Sequence, residues 1–392
     1  MNDAMRGRDG ARLLSIALLV LCQVAAVSAW FAGSAATSAA AASGAFPLEQ
    51  SGWLSASVQL GFVAGTLTIA LTGAADRFDP RRVFAFSAVV CAASTGALLA
   101  TGLAGWPAIM LRAISGFALA GVYPIGMKLV AGWSRSALGL PMGLLVGALT
   151  LGSAMPNLFL AGNSHSWTTP LAISSCLALA SAVLIGFVSL GPDHPAPAAF
   201  HLREALRQLR RPDVGSVTRG YLGHMWELYA MWAWIGAFLH WAAPETTPSN
   251  HVSLYAFTTI ASGAIGCVAS GWLADRIGKQ RVIVASLIVS GFCAATIGLW
   301  AMAGWGAVLI VAHVWGIAVI ADSGNFSALT SERADRQYLG TVLTLQVSAG
   351  FLVTFFAIQS LPWIVGIVGW QYAFTVLALG PIFALAAMAP AR

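Results

Sequence analysis

Charged side chains are scarce in this chain, and their scarcity excludes whole classes of protein. Asp, Glu, Lys and Arg make up 9% of the 392 residues, against about 25% in an ordinary soluble domain. Hydrophobic residues make up 58%, which is more apolar surface than a soluble protein buries while so few charges solvate its exterior. The composition predicts an integral membrane protein and excludes a soluble enzyme, a nucleic-acid binder and a secreted scaffold.

Cysteine pairs and phosphate-binding motifs are also lacking. The five cysteines lie inside apolar segments and none belongs to a CxxC pair, so neither disulfides nor a metal site is predicted. The sequence contains no GxxxxGK[ST] loop, so ATP is not expected to drive the protein. We expect no cofactor, no metal and no enzymatic activity.

Long apolar runs, bounded by charge, Pro or Gly, follow one another along the chain. At about 20 residues per span, the length allows a dozen membrane spans and leaves no room for a sizeable soluble domain. The predicted spans, numbered 1 to 12 in chain order, are 12–34, 51–74, 83–103, 106–132, 139–162, 170–190, 216–240, 251–274, 281–302, 305–328, 339–361 and 369–390. The sequence predicts an all-α protein with a six-helix bundle at 1–190, a linker at 191–215 and a second six-helix bundle at 216–392.

The basic residues predict which side of the membrane each loop faces. If the N-terminus is cytoplasmic, 18 of the 20 Lys and Arg residues fall in cytoplasmic segments or at their edges, and the other two, Arg112 and Lys128, lie within span 4. Positive charges are retained on the cytoplasmic side, so we expect a multi-pass protein of the inner membrane with both termini in the cytoplasm. The net charge of +6 follows from this distribution and not from a nucleic-acid-binding patch.

The linker carries an amphipathic pattern. Leu202, Leu206 and Leu209 recur at helical spacing, with arginines on the opposite side. Two interpretations stay open: an amphipathic helix that lies on the anionic inner leaflet, or a solvated connector that is only partly helical.

The two halves of the chain repeat each other. Two segments read TGAADR and GWLADR, and their aspartates, Asp76 and Asp275, are 199 positions apart. Trp106 and Trp305 share this offset. A parallel repeat of six spans is the architecture of the two halves in one large class of transporters.

The second copy of this segment carries a recognisable signature. Residues 271–279 read GWLADRIGK, which closely resembles the GxLaDRxGRK signature between the second and third spans of each half in the major facilitator superfamily. The first copy departs from it at Thr72 and at Asp79-Pro80, and residues 112–116 read RAISG, a looser match to the superfamily's RxxqG pattern. The resemblance implies a two-bundle fold, alternating access and a monomer.

By this resemblance, the loop after the second span of each half stabilises the outward-facing state, through charge pairs that break when the protein opens inward. An Asp near a helix end also interacts favourably with a neighbouring helix N-terminus, and a Gly lets the helix end against its neighbours. The predicted gating residues are Asp76, Arg77, Gly271, Asp275, Arg276, Gly278 and Lys279.

Ionisable groups at membrane depth are functional candidates, because an unpaired charge in hydrocarbon is costly. Glu227 lies near the middle of span 7 with His224 three residues earlier, a pair suited to binding and releasing a proton. Asp322 in span 10 lies three helical turns from the position that the repeat makes equivalent to Arg112. We predict Glu227, His224 and Asp322 as proton-coupling residues. The alternative is a protonated Glu227 that is hydrogen-bonded inside the bundle.

Arg112 is the strongest candidate for binding an anionic group, because it is permanently charged and presents two parallel donors. Alternatively it is a buried partner for a carboxylate such as Glu227, which would make it part of the proton coupling. Lys128 is expected to extend its amine to the cytoplasmic end of span 4.

Aromatic and amide residues complete the predicted substrate site. Rings can stack on an organic solute, and amides inside spans face protein or a wet cavity, although such residues also commonly fill gaps between helices. The candidates besides Arg112 are Trp30, Tyr123, Asn157, Trp226, Tyr229, Asn325 and Gln346.

The sequence as a whole predicts a secondary active transporter. We expect it to move a small organic anion across the inner membrane by alternating access, with proton symport as the coupling. Its partners are then the solute, protons and membrane lipid. Two alternatives stay open: a proton-driven exporter of a toxic compound or metabolite, and a sensor that binds without translocating.

Overall fold

Helices form the described fold. The computed structural model describes residues 2–42, 46–133, 139–162, 166–192 and 200–389, and within these ranges the protein contains helices and their connections but no strand. Residues 193–199 of the linker lie outside these ranges, as do Arg135 and Arg392, two of the basic residues that predict the orientation. The all-α prediction is confirmed.

The first half contains helix at each of the six predicted spans. Its helices are Asn2–Val27 and Ala32–Ala42 (span 1), Leu48–Thr72 (span 2), Pro80–Thr101 (span 3), Gly105–Leu119 and Tyr123–Ala131 (span 4), Gly139–Gly162 (span 5) and Thr168–Leu184 (span 6). A short helix, Ala74–Arg77, lies between spans 2 and 3, and a 3-10 turn, Ile185–Phe187, ends span 6.

The second half follows the same plan. Its helices are Pro212–Ala242 (span 7), Ser249–Ala261 and Gly263–Ile277 (span 8), Lys279–Thr296 with the 3-10 helix Leu299–Ala303 (span 9), Trp305–Ala321 and Ser323–Arg333 (span 10), Leu339–Val368 (span 11), and Trp370–Ala373, Phe374–Ala378 and Leu379–Met388 (span 12). The linker contributes one more helix, Leu202–Leu209.

Ten of the helical segments in the described ranges are long and apolar enough to cross a membrane. The two predicted spans outside this set are spans 7 and 9. Span 7 carries Asp213, Arg219 and Glu227, and span 9 begins with Lys279 and Arg281, which lowers the apolar character of both. The structure is compatible with twelve spans.

Several spans are interrupted. Span 1 breaks at 28–31, span 4 at 120–122 and span 10 at Asp322. The last two breaks lie at equivalent positions of the repeat, because Tyr123, which restarts span 4, and Asp322 are 199 positions apart. Pro124 suits the start of a helical segment, where the backbone N–H has no partner in the helix.

Spans 2 and 4 cross at close range, and spans 8 and 10 repeat this crossing. A Cβ added at Gly61 would lie 1.9 Å from the carbonyl oxygen of Ala113, and one added at Gly316 would lie 1.9 Å from that of Thr259. Only glycine lets two backbones approach so closely. The same contact in both halves is what a duplicated six-span unit requires.

We expect Gly61→Ala to destabilise the protein by about 1–3 kcal/mol, because spans 2 and 4 must separate to admit the methyl group. Gly143→Ala is a matched control, since Gly143 also lies inside a spanning helix but a Cβ there would meet no atom within 4 Å. Unfolding in detergent measures the difference. Equal stability of the two variants would contradict the close crossing.

The two halves meet along two pairs of spans. Span 2 packs on span 11, and span 5 packs on span 8.

One end of the bundle carries the arginine-rich loops 73–82 and 275–281, and we call it the basic end. At the opposite end, a Cβ at Gly52 would lie 3.1 Å from the ring of Pro362. At the basic end, spans 2, 4 and 11 enclose a cavity of about 210 Å³. Spans 2 and 11 are therefore packed tightly at the far end and separated at the basic end.

The linker helix, Leu202–Leu209, packs on the second half. Its buried residues are Ala205 and Gln208, and the Gln208 amide donates a hydrogen bond to the carboxylate of Asp335, which precedes span 11. Leu206 lies on the other face and is 43% exposed. The structure thus contains the amphipathic helix, whereas its contact with a membrane surface and the bundle boundaries stay predictions.

Candidate functional site

Arg112 donates to backbone carbonyls that the break in span 1 exposes. Its Nη1 donates to the carbonyl of Ala29 at 3.0 Å, and its Nη2 donates to the carbonyl of Trp30. The preceding carbonyl, that of Ser28, accepts a hydrogen bond from Ser174 Oγ at 3.2 Å. Side chains therefore satisfy three consecutive acceptors that a continuous helix would satisfy itself.

The guanidinium of Arg112 is fully buried and contacts protein in this conformation. Its Nε has no hydrogen-bond partner among the described residues, and a Cβ at Gly33 would lie 2.8 Å from it. The ion pairs formed within the described ranges do not include Arg112, so a pairing with Glu227 is not formed here. Binding of an anion by Arg112 stays a prediction.

Aromatic rings from both halves meet at the seam next to this break. The aromatic cluster comprises Trp30, Phe31, Phe62, Tyr229, Trp232 and Phe351. Trp30 and Tyr229 stack with ring centroids 5.7 Å apart, and Phe31 and Tyr229 stack at 6.0 Å with planes only 16° apart. All six side chains are buried. Two predicted substrate residues, Trp30 and Tyr229, are thus brought together across the seam.

Two buried N–H donors lie within or beside the aromatic cluster. Gln59 of span 2 accepts a hydrogen bond from Trp30 Nε1 at 3.4 Å, but its own Nε2 has no acceptor among the described residues. The same is true of Trp232 Nε1. An unsatisfied buried donor is costly, so these two groups favour a bound molecule that supplies acceptor atoms beside a stacking surface.

His224 and Asp322 lie side by side between spans 7 and 10, buried and without a hydrogen bond at Asp322 Oδ1 among the described residues. His224 Nδ1 lies 2.8 Å from Asp322 Oδ1, and the side chains are 1% and 2% exposed. Within the described ranges, His224 Nε2 has no hydrogen-bond partner. A His beside an Asp inside a membrane-spanning bundle is a candidate for proton coupling, and this role of the pair stays a prediction.

Glu227 lies one turn further along span 7 and faces other helices. Its Oε1 accepts a hydrogen bond from Trp315 Nε1 at 2.7 Å, and its Oε2 accepts one from Ser290 Oγ at 3.0 Å. The expected pair of Glu227 with His224 is not formed by these contacts. Residues three apart on a helix point about 60° apart, so the two side chains reach different neighbours. Whether Glu227 takes part in coupling stays a prediction.

Three other predicted substrate residues lie at different places in the bundle. Trp226 Nε1 donates to the carbonyl of Val376 in span 12 at 3.1 Å, on the far side of span 7 from the first half. Asn157 of span 5 faces span 7, where a Cβ at Gly236 would lie 3.5 Å from its Oδ1. Tyr123 restarts span 4 and is half-buried against the hydrophobic core. Of these three, Asn157 lies at the seam between the halves.

The two remaining amide candidates are engaged inside the second half. Gln346 Oε1 accepts hydrogen bonds from Thr330 at 2.9 Å and from Thr218 at 3.4 Å, and it joins spans 7, 10 and 11. Asn325 Nδ2 donates to the carbonyl of Ala321 in its own span at 3.2 Å. These contacts give both residues a structural role in this conformation, and their contact with substrate stays a prediction.

The first copy of the repeated loop forms an ion pair inside the first half. Lys128 Nζ donates to the carboxylate of Asp76 and to the carbonyl of Ala75. Lys128 therefore extends to the basic end of span 4, as its position predicts. The pair ties the loop after span 2 to span 4. Arg77, the next residue in the loop, is exposed.

The two copies end their helices by different means. In the second copy, Gly278 has a φ of +91° and ends span 8 directly, a conformation that favours glycine. In the first copy Gly73 takes this role with a φ of +65°, and Asp79 caps span 3 by accepting the N–H of Arg81 at 2.9 Å. The Arg81 guanidinium also hydrogen-bonds the Asp79 carboxylate and lowers the pKa of that group. The close approach expected at Gly271 is absent, since a Cβ there would meet no atom within 4 Å.

The second copy forms a different set of contacts at the basic end. Lys279 at the start of span 9 pairs with Glu332 at the end of span 10, with Nζ and Oε1 2.6 Å apart. Arg276 lies over the ring of Trp272, 3.5 Å from its centroid. Asp275 is exposed. The pairs Asp76 with Lys128 and Lys279 with Glu332 each join elements of one half, and a gating role for these residues stays a prediction.

Sequence reasoning missed Gln59, Phe62 and Phe351. A lone amide inside an apolar span was an available signal for Gln59, as it was for Gln346. Nothing local distinguishes Phe62 and Phe351 from lipid-facing phenylalanines, because only the packing of span 2 on span 11 brings their rings to 4.4 Å.

Comparison with known proteins identifies the family of this chain. The sequence model of the Major Facilitator Superfamily matches residues 16–358, and no curated protein matches the chain. Two structures of the nucleoside transporter NupG, one of them a mutant, superpose with TM-scores of 0.76 and 0.73 at 16% identity, over 96% of this chain and 98% of theirs. The xylose transporter XylE from E. coli, in a partially occluded inward open conformation, gives 0.71 at 12% identity with the same coverage. The structural likeness shows the fold, and the sequence match over most of the chain shows that this protein is a membrane-spanning transporter of the Major Facilitator Superfamily.

Proposed function

We propose that this transporter is a proton symporter of a small polar organic solute that contains a flat ring. The observation that carries the proposal is the buried pair of His224 and Asp322, with 2.8 Å between Nδ1 and Oδ1. Buried ionisable groups in a membrane-spanning bundle are expensive and mark ion or substrate pathways.

The charge of this pair supplies a reason for coupling. With His224 neutral and Asp322 ionised, the pair carries one negative charge, whose burial without compensation costs several kcal/mol. Protonation of His224 makes the pair neutral overall. We infer that the two halves close over the site only in the protonated, neutral state, so the solute crosses together with a proton.

The aromatic cluster supports the choice of a flat ring. Trp30 and Phe31 come from the first half and Tyr229 from the second, so a ring bound among them contacts both halves at once. Offset or edge-on aromatic contacts are each worth about 0.5–1.5 kcal/mol beyond burial. The unsatisfied donors Gln59 Nε2 and Trp232 Nε1 favour a ring or substituents with acceptor atoms.

The contacts of Arg112 favour an uncharged solute over the anion that the sequence predicts. Both of its terminal nitrogens donate to carbonyls of span 1, so neither is available to an anion in this conformation. The structural neighbours are named for a nucleoside and for xylose, which are ring-containing solutes. An anionic solute is the alternative that the experiment below distinguishes.

Alternating access is the transport mode that we propose for the chain. Bundles 1–190 and 216–392 would rock about the seam, with linker 191–215 at the cytoplasmic side. The arginine-rich basic end would face the cytoplasm, with both termini on that side of the inner membrane. In this arrangement the transporter works as a monomer, because the seam lies within one chain.

A thermal-shift screen of the purified protein in detergent tests the solute class. Nucleosides, sugars, amino acids, carboxylates and lipophilic cations are compared at two pH values. We expect stabilisation by solutes with a neutral ring, and we expect it to be greater at the lower pH, because a symporter binds its solute together with a proton. Stabilisation by carboxylates alone would contradict a neutral solute and would support an anionic solute that contacts Arg112.

Trp30→Leu is expected to weaken binding of the best solute roughly tenfold, because the ring loses one stacking partner. Trp226→Leu is the matched control. Trp226 lies on the same span as Tyr229 but donates to Val376 on span 12, so its loss should leave the affinity nearly unchanged. Equal effects of the two substitutions, measured by titration calorimetry, would remove the aromatic cluster from the site.

A further inference from the structure

The outer side of the first half carries a groove at the basic end, apart from the seam between the halves. It has a volume of about 550 Å³ and lies between spans 2, 3 and 4. We call it the lateral groove. Thr68 of span 2, Val90 of span 3 and Phe117 of span 4 bound its apolar part, and Arg77 and Arg82 bound its charged end.

Two guanidinium groups at the charged end form no ion pair with the described residues. Arg77 and Arg82 are exposed, and they take part in none of the ion pairs formed within the described ranges. The nearby acid Asp79 is already held by Arg81, with 2.8 Å between Oδ2 and Nη2, and Asp76 is held by Lys128. Arg82 also contributes to lowering the pKa of the Asp79 carboxyl, but Arg81 is the group that holds this carboxylate. The groove therefore presents two guanidinium groups that are free to donate to an anion.

The remainder of the groove is apolar and open to the outside of the bundle. Phe78 is 64% exposed and Phe86 is 72% exposed. From Arg82 to Val90, span 3 rises about 12 Å at 1.5 Å per residue. The hydrocarbon core of a bilayer is about 30 Å thick, so this rise covers most of the hydrocarbon of one leaflet.

We propose that the lateral groove binds an anionic phospholipid of the cytoplasmic leaflet, with its phosphate between Arg77 and Arg82 and one acyl chain along Phe86 and Val90. Arg binds phosphate oxygens through paired N–H donors. Basic pockets between spans on the cytoplasmic side are suited to anionic headgroups. The apolar wall favours a lipid over a soluble phosphate, because a soluble anion gains nothing from Phe86.

The repeat supplies a control at the equivalent positions of the second half. Arg276 and Arg281 lie 199 positions after Arg77 and Arg82. Arg276 is stacked on Trp272 and is thus already engaged. Arg281 is exposed like Arg82. Removing both arginines takes the same charge from the same end of the bundle without altering the lateral groove.

Lipid titration of the delipidated full-length protein, followed by native mass spectrometry, tests the proposal. The probes are phosphatidylglycerol, phosphatidylcholine and glycerol 3-phosphate. We expect phosphatidylglycerol to bind more tightly than the other two. In Arg77→Gln/Arg82→Gln its affinity should fall about 30-fold, from the contribution of about 1 kcal/mol per basic residue near a lipid surface. Arg276→Gln/Arg281→Gln should change it by less than about threefold.

Three outcomes would overturn the site. Equal losses in the two double variants would assign the effect to the general charge of the basic end. Equal binding of phosphatidylcholine would show that the groove does not recognise an anionic headgroup. Equal binding of glycerol 3-phosphate would show that the groove binds a soluble anion and not a lipid. Should the first double variant fail to fold, Val90→Trp fills the acyl part while keeping both arginines. Val90→Trp should abolish tight binding of phosphatidylglycerol. Unchanged binding of phosphatidylglycerol by this variant would also contradict the proposal.

Discussion

Asp322→Asn is expected to abolish accumulation of solute against its gradient while exchange of labelled solute across the membrane continues. Asn keeps the size of the side chain and an oxygen beside His224 Nδ1, but it carries no negative charge. In this variant the protonation of His224 no longer neutralises a negative charge. Closure of the two halves therefore ceases to depend on the proton. Accumulation and counterflow in proteoliposomes, with an inward proton gradient, measure the two activities separately.

Glu227→Gln is the matched control on the same bundle. An amide at this position can still accept from Trp315 and contact Ser290, so the packing of spans 7, 9 and 10 is preserved. We expect accumulation close to that of the unchanged protein. If Glu227→Gln loses accumulation while Asp322→Asn retains it, Glu227 is the proton-coupling residue, as its spacing from His224 on span 7 suggests.

Arg112→Ala is expected to destabilise the protein by about 3 kcal/mol and to reduce transport of every solute. Two charge-assisted hydrogen bonds to the carbonyls of Ala29 and Trp30 are lost, each worth about 1.5–3 kcal/mol, and part of this is recovered when the buried charge is removed. Without these bonds the break in span 1 is no longer fixed, and Trp30 and Phe31 lose their orientation. Denaturant unfolding in detergent and transport rates give the two readouts.

Arg112→Lys separates a positioning role from anion binding. Lysine keeps the positive charge but cannot donate to both carbonyls in the fixed fork of a guanidinium. We expect neutral and anionic solutes to be weakened by the same factor. A selective loss for anions would show that Arg112 contacts the solute directly, and the anionic solute that the sequence predicts would then stand.

The fold follows from the sequence because its signals are long and repeated. Three signals extend over the whole chain: runs of about 20 apolar residues, the concentration of arginines in loops on one side, and the 199-residue offset between Asp76 and Asp275. An error in the bounds of one run does not alter the fold that these signals predict. Helix occupies each predicted span. The close crossings at Gly61 and Gly316 repeat the duplication in three dimensions.

The breaks could not be read from the sequence in the same way. Segment 28–31 contains no proline or glycine, and it forms tighter turns where Arg112, 82 positions after Trp30, and Ser174 donate to its carbonyls. These donors come from other spans. Local pattern carries no information about such long-range partners, so it does not mark this break.

The neighbour of His224 could not be read from the sequence for a related reason. On one helix, Glu227 is the nearest acid to His224, and the spacing favours that pair. In the folded bundle Asp322 lies at a break in span 10, which brings its carboxylate to 2.8 Å from His224 Nδ1. Glu227 instead meets donors from spans 9 and 10. Helix periodicity gives the direction of a side chain on its own helix, whereas the neighbouring helix decides what that side chain contacts.

Solute-driven proton movement tests the central claim most directly. Proteoliposomes without any initial gradient receive the stabilising solute on the outside, and a pH-sensitive dye reports the external medium. We predict that the external medium becomes more alkaline with the unchanged protein, because each solute carries a proton inward, and that the change disappears in Asp322→Asn while labelled solute still enters. Solute entry without any change of pH in the unchanged protein would contradict proton symport through His224 and Asp322.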